Sequence, residues 1–133
     1  MHRILMRAVC LDFPAESYDA SRAFWTTAFG GSSRPAKYFP EYTVLENHAS
    51  LTNVYLQQLG SGAPRMHFDI ESDDQAAEVA RLVAAGAEIV EEHPDSTNTM
   101  GDWTVLRDPA GVQFCVVKAD VDDDFEAKAV TVG

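Results

Sequence analysis

One segment of the chain occurs twice. Tyr42-Thr43-Val44-Leu45 returns as Trp103-Thr104-Val105-Leu106. The likeness continues from Glu46-Asn47-His48-Ala49 to Arg107-Asp108-Pro109-Ala110, where Ala49 matches Ala110 and Asn47 is close to Asp108. Each copy stands at the same place in a half of like order: strand, helix, glycine stop, further strands. A repeated supersecondary unit buries its faces by pairing its copies. The sequence therefore predicts an α+β fold of two β-α-β-β-β modules in a pseudo-twofold arrangement. Each module is read as a helix on one face of a small antiparallel sheet. Pairing the modules closes the other faces into an open, curved cup, a concave shape suited to a small molecule.

The local pattern supports this order. Val9, Leu11 and Phe13 alternate with Ala8, Cys10 and Asp12, so 3–13 reads as a strand. Pro14 ends it, and Ser17 is expected to cap a helix whose apolar stripe is Ser21, Phe24, Trp25, Ala28 and Phe29. Gly30-Gly31 stops that helix. A weak strand near 34–39 and strands at 42–46 and 52–58 follow, and Gly60-Ser61-Gly62-Ala63-Pro64 reads as a linker. The second half opens with a strand at 65–71. Ser72 and Gln75 are spaced as a capping box, and Ala76, Val79, Ala80, Leu82 and Val83 make a helical stripe ending at Gly86. Strands at 87–92, 102–107 and 112–118 complete modules 3–59 and 65–118 of one domain, 1–118. From 119 to 133, Asp120, Asp122, Asp123, Asp124 and Glu126 face only Lys128, which predicts a solvated, loosely held acidic tail.

Composition narrows the partners. With 46% hydrophobic and 23% charged residues in 133, the chain is long and apolar enough for a core, which excludes disordered, collagen-like and coiled-coil classes. A net charge of −11 repels nucleic acid and anionic lipid and favours a small neutral or cationic partner. Cys10 and Cys115 lie far apart, which argues against a disulfide framework or a Cys-rich zinc site. No apolar run approaches the ~18 residues of a membrane span. The first residues are too short and interrupted for a signal peptide, so a cytoplasmic location is expected.

Further segments resemble a known family. They are Ala23-Phe24-Trp25-Thr26-Thr27-Ala28-Phe29-Gly30-Gly31, His67-Phe68-Asp69-Ile70, Ala76-Ala77-Glu78-Val79-Ala80-Arg81-Leu82 with Gly86-Ala87, and the close from Trp103 to Val116. The strand–Asp108-Pro109-Ala110-Gly111–strand turn is the most specific. Together they resemble the vicinal oxygen chelate superfamily, the glyoxalase and bleomycin-resistance fold. The resemblance implies metal ligands on the first and last strands of each half. Those positions fall on Ala8, on Val54 (with Tyr55 and Gln57 close by if the register slips), on His67 and on Cys115. Only His67 is a standard ligand, and catalytic zinc keeps about three. Asp12, Asp69 and Glu71 replace the missing ligands only if they point into the cup. The expectation is therefore no metal and no cofactor, with a small organic ligand held in the cup. The alternative is a metal-dependent lyase, isomerase or dioxygenase with non-standard ligands. A third class is a dimerisation scaffold without ligand. Whether any reaction is catalysed stays open.

The candidate ligand-binding residues are His67, Trp103, Gln57, Tyr42 and Cys115. His67 offers a hydrogen-bond donor or general base, or is simply bonded to a neighbour. Tyr42 and Trp103 match across the repeat and either stack on a ligand or pack in the sheet. Cys115 reads more readily as inert packing, as does Cys10. Arg65 and Arg107 are the cations available to an anionic substrate. Tyr38-Phe39-Pro40 and His93-Pro94-Asp95 read as loops at the pocket mouth, Trp25 as core, and His2, His48 and His93 as surface residues. The resemblance also implies pairing into a homodimer. Light scattering is expected to return twice the chain mass of 14.6 kDa, and a single chain mass at micromolar concentration would remove the dimer.

Overall fold

A computed structural model of the chain describes residues 1–48, 52–94 and 103–133. The elements run β1 (His2–Pro14), α1 (Ala15–Phe29), β2 (Ser32–Pro35), β3 (Tyr42–Glu46) and β4 (Asn53–Leu59), then β5 (Arg65–Ser72), α2 (Gln75–Ala84), β6 (Glu88–His93), β7 (Trp103–Arg107) and β8 (Gln113–Lys118). The fold is α+β, with β-α-β-β-β twice. The repeated segments are β3 and β7, and both alternate half-buried and buried residues over their first four positions. Ala49, Asp95 and residue 102, to which the repeat, a pocket-mouth loop and a strand were assigned, lie outside the described residues. A final helix and strand follow, α3 (Asp123–Lys128) and β9 (Val130–Val132). No helix among the described residues is long and apolar enough to cross a membrane.

The chain divides into two compact units, Ala8–His67 and Met1–Arg7 with Phe68–Gly133. The first has strand order β2-β3-β4-β1. It is mixed rather than antiparallel. β2, β3 and β4 form an antiparallel meander, and β4 then lies parallel to β1, pairing Ala8 with Asn53, Cys10 with Tyr55 and Asp12 with Gln57. Alternation sorts the two faces. Leu11, Leu45, Val54 and Leu56 form the core with Tyr18 of α1, and Val9, Phe13, Trp25 and Phe29 pack against it. Tyr18 also shares a short hydrogen bond with Thr43.

Two details of α1 differ from the sequence reading. Its N-cap is Pro14, which has no side-chain acceptor to offer the first turn, and the Ser17 hydroxyl donates back to the Pro14 carbonyl at 3.3 Å. The buried stripe runs through Tyr18, Trp25 and Phe29. Phe24 points outward at 63% exposure, edge-on to Trp25, because a neighbouring residue on a helix turns ~100° away. Gly30 closes the helix in the left-handed conformation at φ 73° as read. At Gly31 a Cβ would stand 2.2 Å from the Glu46 carbonyl oxygen, so only glycine lets this turn meet the end of β3.

The second unit repeats the order as β5-β8-β7-β6, with β5 parallel to β8. The cap of α2 is Asp74, which accepts from the Ala77 amide. Ser72 instead accepts from the Asp74 amide, so the expected box is shifted by two residues. Gln75 reaches the sheet rather than the cap, donating to the Val116 carbonyl at 3.2 Å. His2, expected at the surface, is buried. It bonds Glu78 at 2.7 Å, and Arg81 grips the same carboxylate at 2.7 and 2.8 Å. Burial pushes the Glu78 carboxyl up, but Arg81 and then His2 outweigh it and leave it below its ordinary value.

The acidic segment after 118 is not loosely held. Asp122 caps α3 by accepting from the Phe125 amide, Phe125 is fully buried, and β9 pairs antiparallel with His2, Arg3 and Ile4. Its acids serve as cap and ion-pair partners: Arg7 meets Asp122 at 2.8 Å and Arg3 meets Glu126 at 2.9 Å.

Two outcomes follow. Phe125→Ala should cost about 3–5 kcal/mol in urea unfolding, the usual toll for an emptied aromatic site; a cost near zero would restore a loose tail. The lowered Glu78 value means its contribution is complete above the unfolded glutamate value and is lost as pH falls through the lower folded one. Glu78→Gln should therefore flatten the acid limb of the stability curve below pH ~4.5.

Candidate functional site

The side of the first unit's sheet away from α1 carries its polar chemistry. Pairing sets Cys10 beside Tyr55, Asp12 beside Gln57, and Gln57 beside Tyr42. Asp12 is fully buried and is the hub. His67 Nδ1 lies 2.8 Å from one of its oxygens, the Cys10 thiol donates to the other at 3.4 Å, and Arg65 Nε stands 3.6 Å away. A carboxylate only accepts, so Nδ1 carries the proton in this pair, which fixes the imidazole's tautomer and orientation. Tyr42, Tyr55, Gln57 and His67 are half-buried around it.

Cys10, Asp12 and His67 offer a sulfur, an oxygen and a nitrogen all within 4.8 Å of one another, which raises the question of a metal. As they stand, these donors are engaged with protons rather than with an ion. At 2.8 Å the Nδ1–oxygen pair shares a proton that an ion bound to both atoms would have to displace. The thiol donates a proton where a metal needs a thiolate. Arg65 adds a fixed positive charge beside the same carboxylate oxygen. Glu71, a proposed substitute ligand, is committed elsewhere: Arg7 holds it at 2.9 Å in the second unit. Burial raises the Glu71 carboxyl above its ordinary value, and Arg7 offsets only part of that rise.

His67, Gln57 and Tyr42 thus belong to one unit, His67 bonded to Asp12 and the other two set beside it by strand pairing. Val54 does not join them. It lies on the α1 side at 3% exposure, so the last-strand position of this module is Tyr55, one residue along. Trp103 and Cys115 belong to the second unit. Trp103 stacks on His93 with ring centroids 4.4 Å apart and planes 12° from parallel, which makes His93 a strand residue with a partner rather than a loose surface histidine. Cys115 pairs with Asp69 on β5 and Val105 on β7. His48 packs edge-on to Phe29. Arg107 is bound to Glu88 at 3.0 Å and so is not an unengaged cation. The sequence names Asp12 only as a substitute ligand, not as the acceptor that Cys10 and His67 share. The available signal was the Ala8-Cys10-Asp12 alternation, which places two chemically active groups on one face.

A family profile described as a glyoxalase-like domain matches residues 8–117. Solved structures share the fold at low identity. The methylmalonyl-CoA epimerase of Streptomyces coelicolor, in complex with 2-nitronate-propionyl-CoA, is 16% identical with TM-score 0.62, covering 88% of this chain and 95% of its own. A hypothetical protein of Bacillus halodurans C-125 is 9% identical with TM-score 0.64, covering 90% and 96%. The Mn(II)-bound glyoxalase of Novosphingobium aromaticivorans is 20% identical with TM-score 0.57, covering 89% of this chain and 40% of its own. No protein of curated function matches.

Replacing Asp12 with alanine removes the shared acceptor of Cys10 and His67 from a buried site. Urea unfolding should show a loss of about 1–3 kcal/mol, and a change within error would mean that the hub does not organise this face.

Proposed function

The chain belongs to the glyoxalase-like domain family of the vicinal oxygen chelate superfamily, and we propose that it binds a small organic ligand without a metal. The ligand sits on the polar face of the first unit, against His67, Gln57 and Tyr42. The observation that carries this reading is the buried Asp12, which engages both the thiol and the imidazole proton. A histidine oriented this way presents an unprotonated Nε2 to a ligand, an acceptor that does not have to be ordered on binding. The tyrosine supplies an apolar body with a polar tip.

Charge selects among ligands. The epimerase complex holds a CoA ester, a polyanion. Here a net charge of −11 and an aspartate-centred face favour a neutral or cationic molecule. A second reading, a metal-dependent enzyme, is favoured by the closeness of Cys10, Asp12 and His67 and by the Mn(II) in one structural relative. An ion bound through Nδ1 and the Cys10 sulfur would displace the two protons that Asp12 accepts.

Thermal shift against matched neutral, cationic and anionic small molecules tests the proposal. A neutral or cationic compound at hundredfold excess over its Kd should stabilise the native chain by about 2.7 kcal/mol, and His67→Gln should remove the effect. Elemental analysis of tag-free protein should find well under one ion per chain. A stoichiometric ion lost in His67→Gln would overturn the metal-free reading in favour of the second.

A further inference from the structure

The two modules differ where their helices meet their sheets. In the first unit α1 is 15 residues long and sends Trp25 and Phe29 from its last turns onto the core. In the second unit α2 has only 10 residues, and its inward stripe is Ala76, Val79, Ala80 and Val83. No aromatic ring from α2 fills the space over β6 and β7. A groove of about 550 Å³ remains there, between the helix and those strands. That is within the ~300–1,000 Å³ range of small-molecule pockets. Val83 and Ile89 line it and remain 42% and 46% exposed, although both are large enough to belong in a core.

The lining also has a charge. Among the described residues its ionisable side chains are Glu92 and His93, and no lysine or arginine of them lines it. Glu88 and Glu91 on the same strand are already paired, with Arg107 and His93. Glu92 has no ion-pair partner among the described residues. The floor offers Thr104, whose hydroxyl accepts from Gln75 at 3.4 Å.

We propose that this groove is a second binding site, for a small amphiphilic amine: an apolar body against Val79, Val83 and Ile89 with its ammonium group at Glu92. An apolar body recovers the contacts that the missing aromatic side chains leave unmade. The ammonium satisfies the one unpaired acid of the lining and is drawn in by the chain's overall charge. An anionic molecule of the same shape meets Glu92 and that same field as repulsion. The site uses residues of the second unit alone, so it stands or falls apart from the His67 face.

The test is a methyl NMR titration of the whole chain with phenylethylammonium, hydrocinnamate and phenylethanol. The ammonium probe should shift the Val79, Val83 and Ile89 methyls saturably, with affinity about tenfold above that of hydrocinnamate, since attraction and repulsion at an exposed carboxylate each contribute a few-fold. Glu92→Gln should shrink that ratio to about twofold. Ala80→Trp, at an exposed helix position, should fill the groove and abolish the methyl shifts, whereas His67→Gln should leave them unchanged. If Ala80→Trp does not fold, the Glu92→Gln ratio still decides. Equal affinity for the two charges, shifts that do not saturate, or a ratio untouched by Glu92→Gln would each overturn the proposal.

Discussion

A β-strand has two faces, and each module here has a single helix to cover its sheet. The rest of the first unit depends on how that constraint is met. Along β1 the odd-numbered residues Val9, Leu11 and Phe13 turn toward α1, and the even-numbered Ala8, Cys10 and Asp12 turn the other way. A slip of one residue would exchange the two sets. It would drive a carboxylate into the Tyr18–Leu45–Leu56 core and strip that core of its aliphatic side chains. The register is therefore held by hydrophobic burial, and the position of Asp12 is a consequence of it.

Asp12 then does for the polar face what the core does for the apolar one. A fully buried carboxylate needs partners, and it finds them in Cys10, His67 and Arg65. Each of these would be free to rotate on an open strand. Around Asp12 they are fixed by a common acceptor. The same bonds place protons on Nδ1 of the imidazole and on the Cys10 thiol, and leave the Nε2 lone pair for whatever the face meets.

The strands and helices were legible because they rest on local signals. Period-two alternation marked β1 and β5, Gly30 marked the end of α1, and the repeated Thr-Val-Leu run marked β3 and β7. What failed depended on distant contacts. Phe24 and Tyr18 are both apolar and lie ~120° apart on the helical wheel, and only the sheet decides which faces inward. The segment after 118 looks like a solvated tail by charge. Its acids are instead bound by Arg3 and Arg7 from the other end of the chain, and Phe125 is the one residue in it that needed burial. His2 was read as surface for want of a local partner, and that partner, Glu78, is 76 residues away. The sequence leaves the last-strand position of the first module open between Val54, Tyr55 and Gln57 because that module has no Asp-Pro-x-Gly turn from which to count, and strand pairing sets Tyr55 opposite Cys10 as it sets Cys115 opposite Asp69. His67, Gln57 and Tyr42, the proposed ligand contacts, come from the sequence, but the bonds from Cys10 and His67 to Asp12 do not, because no local pattern marks a contact between residues 12 and 67.

The central claim is that Asp12 fixes the tautomer of His67. Nitrogen-15 NMR of the imidazole in mildly alkaline solution reads that tautomer directly. The account predicts Nδ1 protonated and Nε2 unprotonated, with the preference weakened in Asp12→Ala. An Nε2-protonated ring in the unmodified chain would contradict it, since no proton would then link His67 to the buried carboxylate.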